Sequence, residues 1–278
     1  MMRIDAHQHF WRIGRGDYGW LTAASHPAIF RDYCPRDLAS LLAEAGIERT
    51  LLVQCAPTEA ETAFLLALAD AAPFVAGVVG WTDLEAANAP GRVTRLAEAG
   101  KLVGLRPMLH DLDDEAWILR PSVGQALAAM EQVGQALDAL IRPAHLPRLA
   151  RLLARRPGLK VVIDHGAKPD IAGGDLAGWK AAIRAIAKDT RAYCKLSGLV
   201  AEAGEAWRPD DLRPVADTLL EAFGPSRLMW GSDWPVVNER GGYGRWLAAA
   251  EALTEGLSPD DRDLVFGGAA AAFYGIAA

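Results

Sequence analysis

Two histidines one residue apart, His7 and His9, are the first side chains in this sequence whose spacing could do chemistry. They lie in Arg3-Ile4-Asp5-Ala6-His7-Gln8-His9-Phe10-Trp11. An apolar start followed by alternating small and polar residues reads as a short first strand. Residues two apart on a strand point the same way, so both imidazoles would project from one face. Such a pair can share a proton, a metal ion or a substrate. A carboxylate, Asp233, comes near the other end in Gly231-Ser232-Asp233-Trp234-Pro235, directly after the apolar run Leu228-Met229-Trp230. If first and last strands adjoin in a closed barrel, Asp233 stands beside the two histidines. It could then take a proton from water while His7 or His9 holds that water or tunes the acid. The structural alternatives are core histidines bonded to backbone carbonyls and an aspartate capping a helix or loop. The combination points to hydrolysis.

Further polar residues fall at the ends of apolar runs. Arg106 follows Gly104-Leu105 on an otherwise apolar stretch. A buried guanidinium is costly without a carboxylate partner, so one reading is a salt bridge to a neighbouring aspartate. The other is recognition of an anionic or polyhydroxylated substrate, which suits its fork of donors. From the residues alone the two stand level. Arg142 and Lys195 pose the same choice, and Lys195 could also be a solvated lysine at a strand end. His165, in Asp164-His165-Gly166, could orient the attacking water or polarise a carbonyl; otherwise it closes a turn. His145 and His110 lie in loops from which they could reach substrate hydroxyls, and His26 has no assigned role. The chain has nine tryptophans. One near a rim could stack on a sugar ring, and Trp117 is placed for it.

These side chains need elements to carry them. Eight short apolar runs recur: 4–10, 50–55, 74–81, 102–109, 139–142, 159–166, 192–200 and 228–236. Segments with helical periodicity lie between them, such as 60–71, 146–156, 176–188, 211–223 and 246–255. Pro35 reads as a helix start, Gly46 as a helix stop, and Pro157-Gly158 closes another helix. Strands alternating with helices imply parallel pairing. Eight units in a chain of 278 residues specify an α/β fold, a single (β/α)8 TIM barrel domain over 1–278. Polar residues at the ends of seven runs would then gather on the C-terminal rim of the strands, where such barrels place their active sites.

Composition narrows the classes. Lys and Arg number 29 against 35 Asp and Glu, a net charge of −6. This argues against a nucleic-acid surface, which needs clustered cations. Three scattered cysteines without a CxxC pattern fit neither a disulfide framework nor a zinc ribbon. No signal-peptide core and no membrane-length apolar stretch is seen, so a soluble cytoplasmic protein is expected. Apolar helix faces pack equally well on their own barrel or on a second copy, so the sequence allows a homodimer.

Six ordered motifs span nearly the whole chain: His7-x-His9-Phe10-Trp11 with Gly16-Asp17-Tyr18-Gly19-Trp20-Leu21, Gly104-Leu105-Arg106, Asp164-His165-Gly166-Ala167-Lys168-Pro169, Lys195-Leu196-Ser197-Gly198 and Ser232-Asp233-Trp234-Pro235. Together they resemble the amidohydrolase superfamily, and specifically its sugar-lactone hydrolase branch, which includes L-fuconolactonase. The resemblance implies a (β/α)8 barrel that opens a cyclic ester. It tips Arg106 toward substrate; the residues themselves mark Asp233, His7, His9 and His165 as the catalytic candidates, and Lys195, Trp117, Arg142 and His145 as candidate substrate contacts by their placement. Two-metal relatives use a strand-four lysine and a strand-five histidine, where this chain has Arg106 and Arg142. A cation there repels a divalent ion. One Zn2+ on His7, His9 and Asp233 remains chemically sound, yet a lactone is activated enough that no metal need be required. The expected partner is a small sugar lactone, opened to its aldonic acid. The alternatives are a zinc-dependent decarboxylase or amide hydrolase of the same superfamily, and a non-catalytic barrel that binds sugar acids.

Overall fold

A computed structural model describes residues 1–277. Eight strands form one parallel sheet in sequence order. They are β1 Ile4–Gln8, β2 Arg49–Val53, β3 Val75–Gly80, β4 Leu102–Leu105, β5 Ala136–Ala139, β6 Val161–Ile163, β7 Tyr193–Leu196 and β8 Leu228–Trp230. The helices that carry the chain back are α1 Pro35–Ala45, α2 Glu59–Ala71, α3 Ala89–Ala97, α4 Pro121–Val133, α5 Leu146–Arg155, α6 Ala177–Asp189, α7 Leu199–Glu202, α8 Pro209–Phe223 and α9 Tyr243–Leu253. Two short helices follow, α10 Pro259–Asp263 and α11 Ala269–Tyr274. This is a (β/α)8 barrel. No helix among the described residues is long and apolar enough to cross a membrane.

Local sequence sets the helix ends. Pro35 occupies the first turn of α1, and the Asp37 carboxylate accepts the Cys34 backbone N–H at 2.9 Å. Gly46 ends the helix at φ +64°, a left-handed conformation that costs glycine little. Thr58 caps α2 by accepting the Glu61 N–H at 3.0 Å.

The barrel closes just beyond the regular strands. The His9 N–H donates to the Trp234 carbonyl at 2.7 Å, and the Asp233 N–H donates to the His7 carbonyl at 2.8 Å. The backbone that carries the histidine pair is thus stitched to the backbone that carries Asp233. Asp5 reinforces the seam from outside the barrel: its Oδ1 accepts the N–H groups of His7 at 3.1 Å and Ser232 at 2.8 Å.

Inside, an apolar layer of Ile4, Ala6, Leu51, Val53, Val79, Ala136, Val162 and Met229 continues onto Phe273 and Tyr274 of α11. Two positions further along several strands the inward residue turns polar. Ala136 gives way to Asp138, Val162 to Asp164, Tyr193 to Lys195, and Met229 to Gly231 and then Asp233. Period-two alternation places these groups directly above the apolar layer. On β1 the alternation breaks. Ile4 and Ala6 face inward, yet His7 also stands inside, while Gln8 bonds outward to Thr50 at 3.1 Å. The β1–β2 register shifts between Asp5 and Gln8, and this irregularity absorbs the extra residue.

One strand lies elsewhere than expected. The apolar run predicts the fifth at 139–142, and the structure has it at Ala136–Ala139. The apolar Leu140 and Ile141 are buried in the following loop, not in the sheet. The strand carries an inward carboxylate, Asp138, two positions past the apolar Ala136. Arg142 therefore stands three residues past the strand end. The sixth strand stops before Asp164-His165 and the eighth before Asp233, whereas Lys195 lies within β7 and only Ser197 falls past its end.

Candidate active site

The site is assembled around one oxygen atom. Asp233 Oδ1 lies 3.2 Å from His9 Nε2, 3.7 Å from His7 Nε2 and 3.9 Å from His165 Nε2. These imidazoles come from β1 (His7), from the residue just past its end (His9) and from the turn after β6 (His165). Burial alone would raise the Asp233 pKa. The imidazoles of His165, His9 and His7 gathered around it more than offset that and hold the carboxyl well below the usual range. His165 is itself pushed down to about 4, chiefly by burial and against the pull of Asp233 and Asp164.

Backbone conformation aims these groups. Asp233 has φ +57° and His165 has φ +55°, and Gly166, Ala167 and Lys168 are also left-handed. Each such non-glycine residue costs roughly 1–2 kcal/mol, held in place here by the seam and by buried contacts. The His165 Nδ1 sits 2.8 Å from the Ser197 hydroxyl. Gly198, at φ +63°, leaves room for that ring: a Cβ there would fall 2.5 Å from His165 Nδ1. Gly231 does the same for His7, whose Cβ would be 2.7 Å from an added methyl.

Beneath the histidines lies a fully buried ionic layer. The Lys195 ammonium pairs with Asp138 and lies 3.0 Å from Asp164 Oδ1. It also contacts His7 Nδ1 at 3.2 Å. Arg106 meets Asp164 at 3.2 Å and His7 Nε2 at 3.3 Å, and donates to the carbonyl and side chain of Gln54. The Tyr274 hydroxyl donates to Asp138 at 2.7 Å. Burial raises the Asp164 pKa, but Lys195, His7 and Arg106 outweigh it, and the carboxyl stays well below its ordinary value. His7 is driven well below 6.5 by burial and by Lys195, so it is neutral. Both of its nitrogens face cations, and a neutral ring can accept from only one of them.

Above this floor opens a cleft of about 440 Å³, walled by Trp20, His26, Met108, Arg142 and Arg240 among others. The amidohydrolase family model matches residues 4–276. This chain belongs to the amidohydrolase family. The amidohydrolase is 46% identical to an L-fucono-1,5-lactonase of Burkholderia ambifaria, over 99% of this chain and 96% of that one. It is 38% identical to the L-fucono-1,5-lactonase of Burkholderia multivorans, over 99% and 96%. A crystal structure of a Burkholderia multivorans amidohydrolase with bound zinc superposes with a TM-score of 0.93 at 38% identity, covering all of both chains.

The sequence candidates divide into three groups on this amidohydrolase. His9, His165, Asp233, Arg106 and Arg142 line the cleft. His7 and Lys195 lie just under it with no exposed surface. Trp117 and His145 stand apart. Trp117 donates to Glu85 at 2.9 Å and lines an adjoining cleft of about 270 Å³ that shares Met108 and Asp111 with the main one. His145 is buried and accepts the Arg142 N–H at 3.2 Å. Arg106 has the aspartate partner that one of its two readings required, Asp164, while part of its surface still faces the cleft. Asp138 and Tyr274 were not foreseen. The alternation Ala136-Leu137-Asp138 was the available signal for the first; Tyr274 reaches the site only through folding of the C-terminus under the barrel. Glu61, also unforeseen, accepts the Ala56 N–H at 2.7 Å and shapes the loop after β2.

The donor set suits a single metal ion. The ligand atoms of His7, His9 and Asp233 all lie within 4.8 Å of one another. His9 Nδ1 is 2.7 Å from the Val53 carbonyl, which can only accept, so Nδ1 carries a proton; Nε2, the nitrogen that bonds Asp233, is the one an ion would take in place of its proton. Arg106, 3.3 Å from His7 Nε2, competes with an ion for that nitrogen. A second group, His7, Asp164 and His165, also has close donors. There Lys195 and Arg106 already neutralise Asp164, so it does not fit a second ion.

Proposed function

We propose that this amidohydrolase opens a sugar lactone of the fucono-1,5-lactone type to its aldonic acid. The observation that carries this reading is the convergence of three imidazole nitrogens on one oxygen of Asp233 at the floor of the cleft. Full-length similarity to two L-fucono-1,5-lactonases supplies the substrate class.

In this mechanism water lies over Asp233, which takes its proton as the oxygen attacks the lactone carbonyl. The depressed pKa keeps Asp233 ionised at ordinary pH, though it also weakens the base. The electrophilic carbonyl of a lactone offsets that weakness. His165 is neutral, and with Ser197 donating to Nδ1 its Nε2–H faces the cleft. It and the Arg106 guanidinium stabilise the oxyanion. Lys195, Asp138 and Asp164 fix His7 and Arg106 from below. A zinc ion held by His7, His9 and Asp233 would add Lewis acidity and a more acidic water.

The test is proton release from a panel of sugar lactones, L-fucono-1,5-lactone included, with chelator-treated protein at constant mild pH. Hydrolysis without added metal supports the reading and an aspartate with cationic partners as sufficient. Silence reversed by zinc supports lactone hydrolysis at a metal-dependent site. Silence with zinc present rejects the reading.

A further inference from the structure

A lactone that opens must give its ring oxygen a proton, and most groups lining the cleft are already committed. His9 is held between Val53 and Asp233, and His165 by Ser197. Lys168 is ion-paired with Glu202. The Cys55 thiol donates to Glu61 at 3.2 Å. His110 is pushed down to about 3 by burial and by Lys168, Arg106 and Arg142, so it remains neutral. His26 is different. It stands on the cleft wall with its side chain about a third exposed, and its Nδ1 lies 2.9 Å from Glu239 Oε1.

We propose that His26, oriented by Glu239, is the general acid that protonates the departing ring oxygen; this rests on the lactonase reading above. The Glu239 carboxylate can only accept, so Nδ1 carries a proton and Nε2 is the working atom. The ring is set by two further contacts. Trp20 packs on it edge to face at 5.2 Å, and the Trp20 indole is anchored by donating to the Cys55 carbonyl at 2.9 Å. Glu239 lies in the 3-10 segment Val236–Arg240, whose Val237 N–H donates to the Asp233 carbonyl at 3.0 Å. The base and the orienting carboxylate thus ride on one turn, while His26 reaches over from the loop after β1.

The proton balance closes. Water gives one proton to Asp233 as its oxygen bonds to the carbonyl carbon. On collapse the carbonyl re-forms, and the bond from that carbon to the ring oxygen breaks with its electron pair on oxygen. That oxygen takes the Nε2 proton of the His26 imidazolium and becomes a hydroxyl. Asp233 releases its proton to solvent, the partly exposed His26 regains one, and ionisation of the new acid accounts for the net proton released.

The experiment compares His26→Gln, Glu239→Gln and the double variant by kcat, KM and Tm, on the lactone that the wild type turns over best. Loss of a general acid should lower kcat roughly 100-fold in His26→Gln, with KM and Tm near wild type. Glu239→Gln should lose less, and the double variant no more than His26→Gln, because Glu239 acts only through His26. Unchanged kcat in His26→Gln would overturn the proposal and leave Asp233 to return the proton itself. A rise in KM alone would make His26 a hydroxyl-binding residue, and independent, additive losses would equally reject the dyad. Wild-type protein inactive on every lactone, with and without zinc, would instead remove the lactonase reading and this inference with it.

Discussion

Lys195 lies beneath the cleft with no exposed surface, its ammonium shared between Asp138 and Asp164 and touching His7. Replacing it with Met would leave two buried carboxylates short of their cation. Breaking a buried pair from one side costs about 3–5 kcal/mol, so Lys195→Met should shift the urea midpoint by that equivalent. Adding Asp138→Asn should recover part of the loss, since one of the stranded charges is then gone. Asp233 is the contrasting case. Its φ of +57° suits Asn better than most residues, so Asp233→Asn should keep the fold. Removing a general base should lower kcat roughly 100- to 10,000-fold, and near-normal turnover with an unchanged Tm would refute the assignment.

At the scale of elements, the turns that follow the strands matter more than the strands. Gly198, between β7 and α7, has a left-handed φ and abuts the His165 ring. Gly198→Ala should therefore displace His165 and lower kcat by up to about 100-fold, the loss that a misplacement near 1 Å can cause. Gly134, which ends α4 at φ +73° with open space around it, is the control. Gly134→Ala carries a comparable backbone penalty of roughly 1 kcal/mol but should leave kcat unchanged. Equal kcat losses in the two variants would show the effect to be general destabilisation. The β1 irregularity and the β5 boundary belong to this scale too. Neither was legible: one extra residue in β1 leaves the composition of that short run unchanged, and the apolar Leu140 and Ile141 just past β5 read as strand although they are buried in the following loop.

For the molecule as a whole, neutral buried histidines couple stability to pH. His110 has a folded pKa near 3 against an ordinary 6.5. Between those values the unfolded chain binds a proton that the folded protein refuses, so stability falls as pH drops from about 6.5 toward 3. His165, near 4, acts in the same direction. Asp5, raised to about 6 chiefly by burial, acts oppositely: its folded form binds the proton more tightly, so between about 4 and 6 it favours the acid side. A single variant isolates one contribution. The Tm of wild type minus that of His110→Gln should decline steadily from pH 7 to pH 4; a flat difference would show that His110 is not held neutral by the fold.

Sequence alone determined the alternation of strands and helices, and with it the barrel, because apolar periodicity is a local property of the chain. It also marked His7, His9, His165 and Asp233, since polar groups at the ends of apolar runs must emerge on one rim of a parallel barrel. It could pose but not resolve the choice for Arg106. Whether a guanidinium meets a carboxylate depends on which strands stand side by side and how deep each residue sits. The tertiary structure supplied Asp164 as that partner, set Lys195 below the cleft, and carried Trp117 to a neighbouring one. It also brought Tyr274 to Asp138 across 136 positions of sequence. It joined His26 to Glu239 across 213. No local pattern encodes such distances; only closure of the barrel brings those residues together.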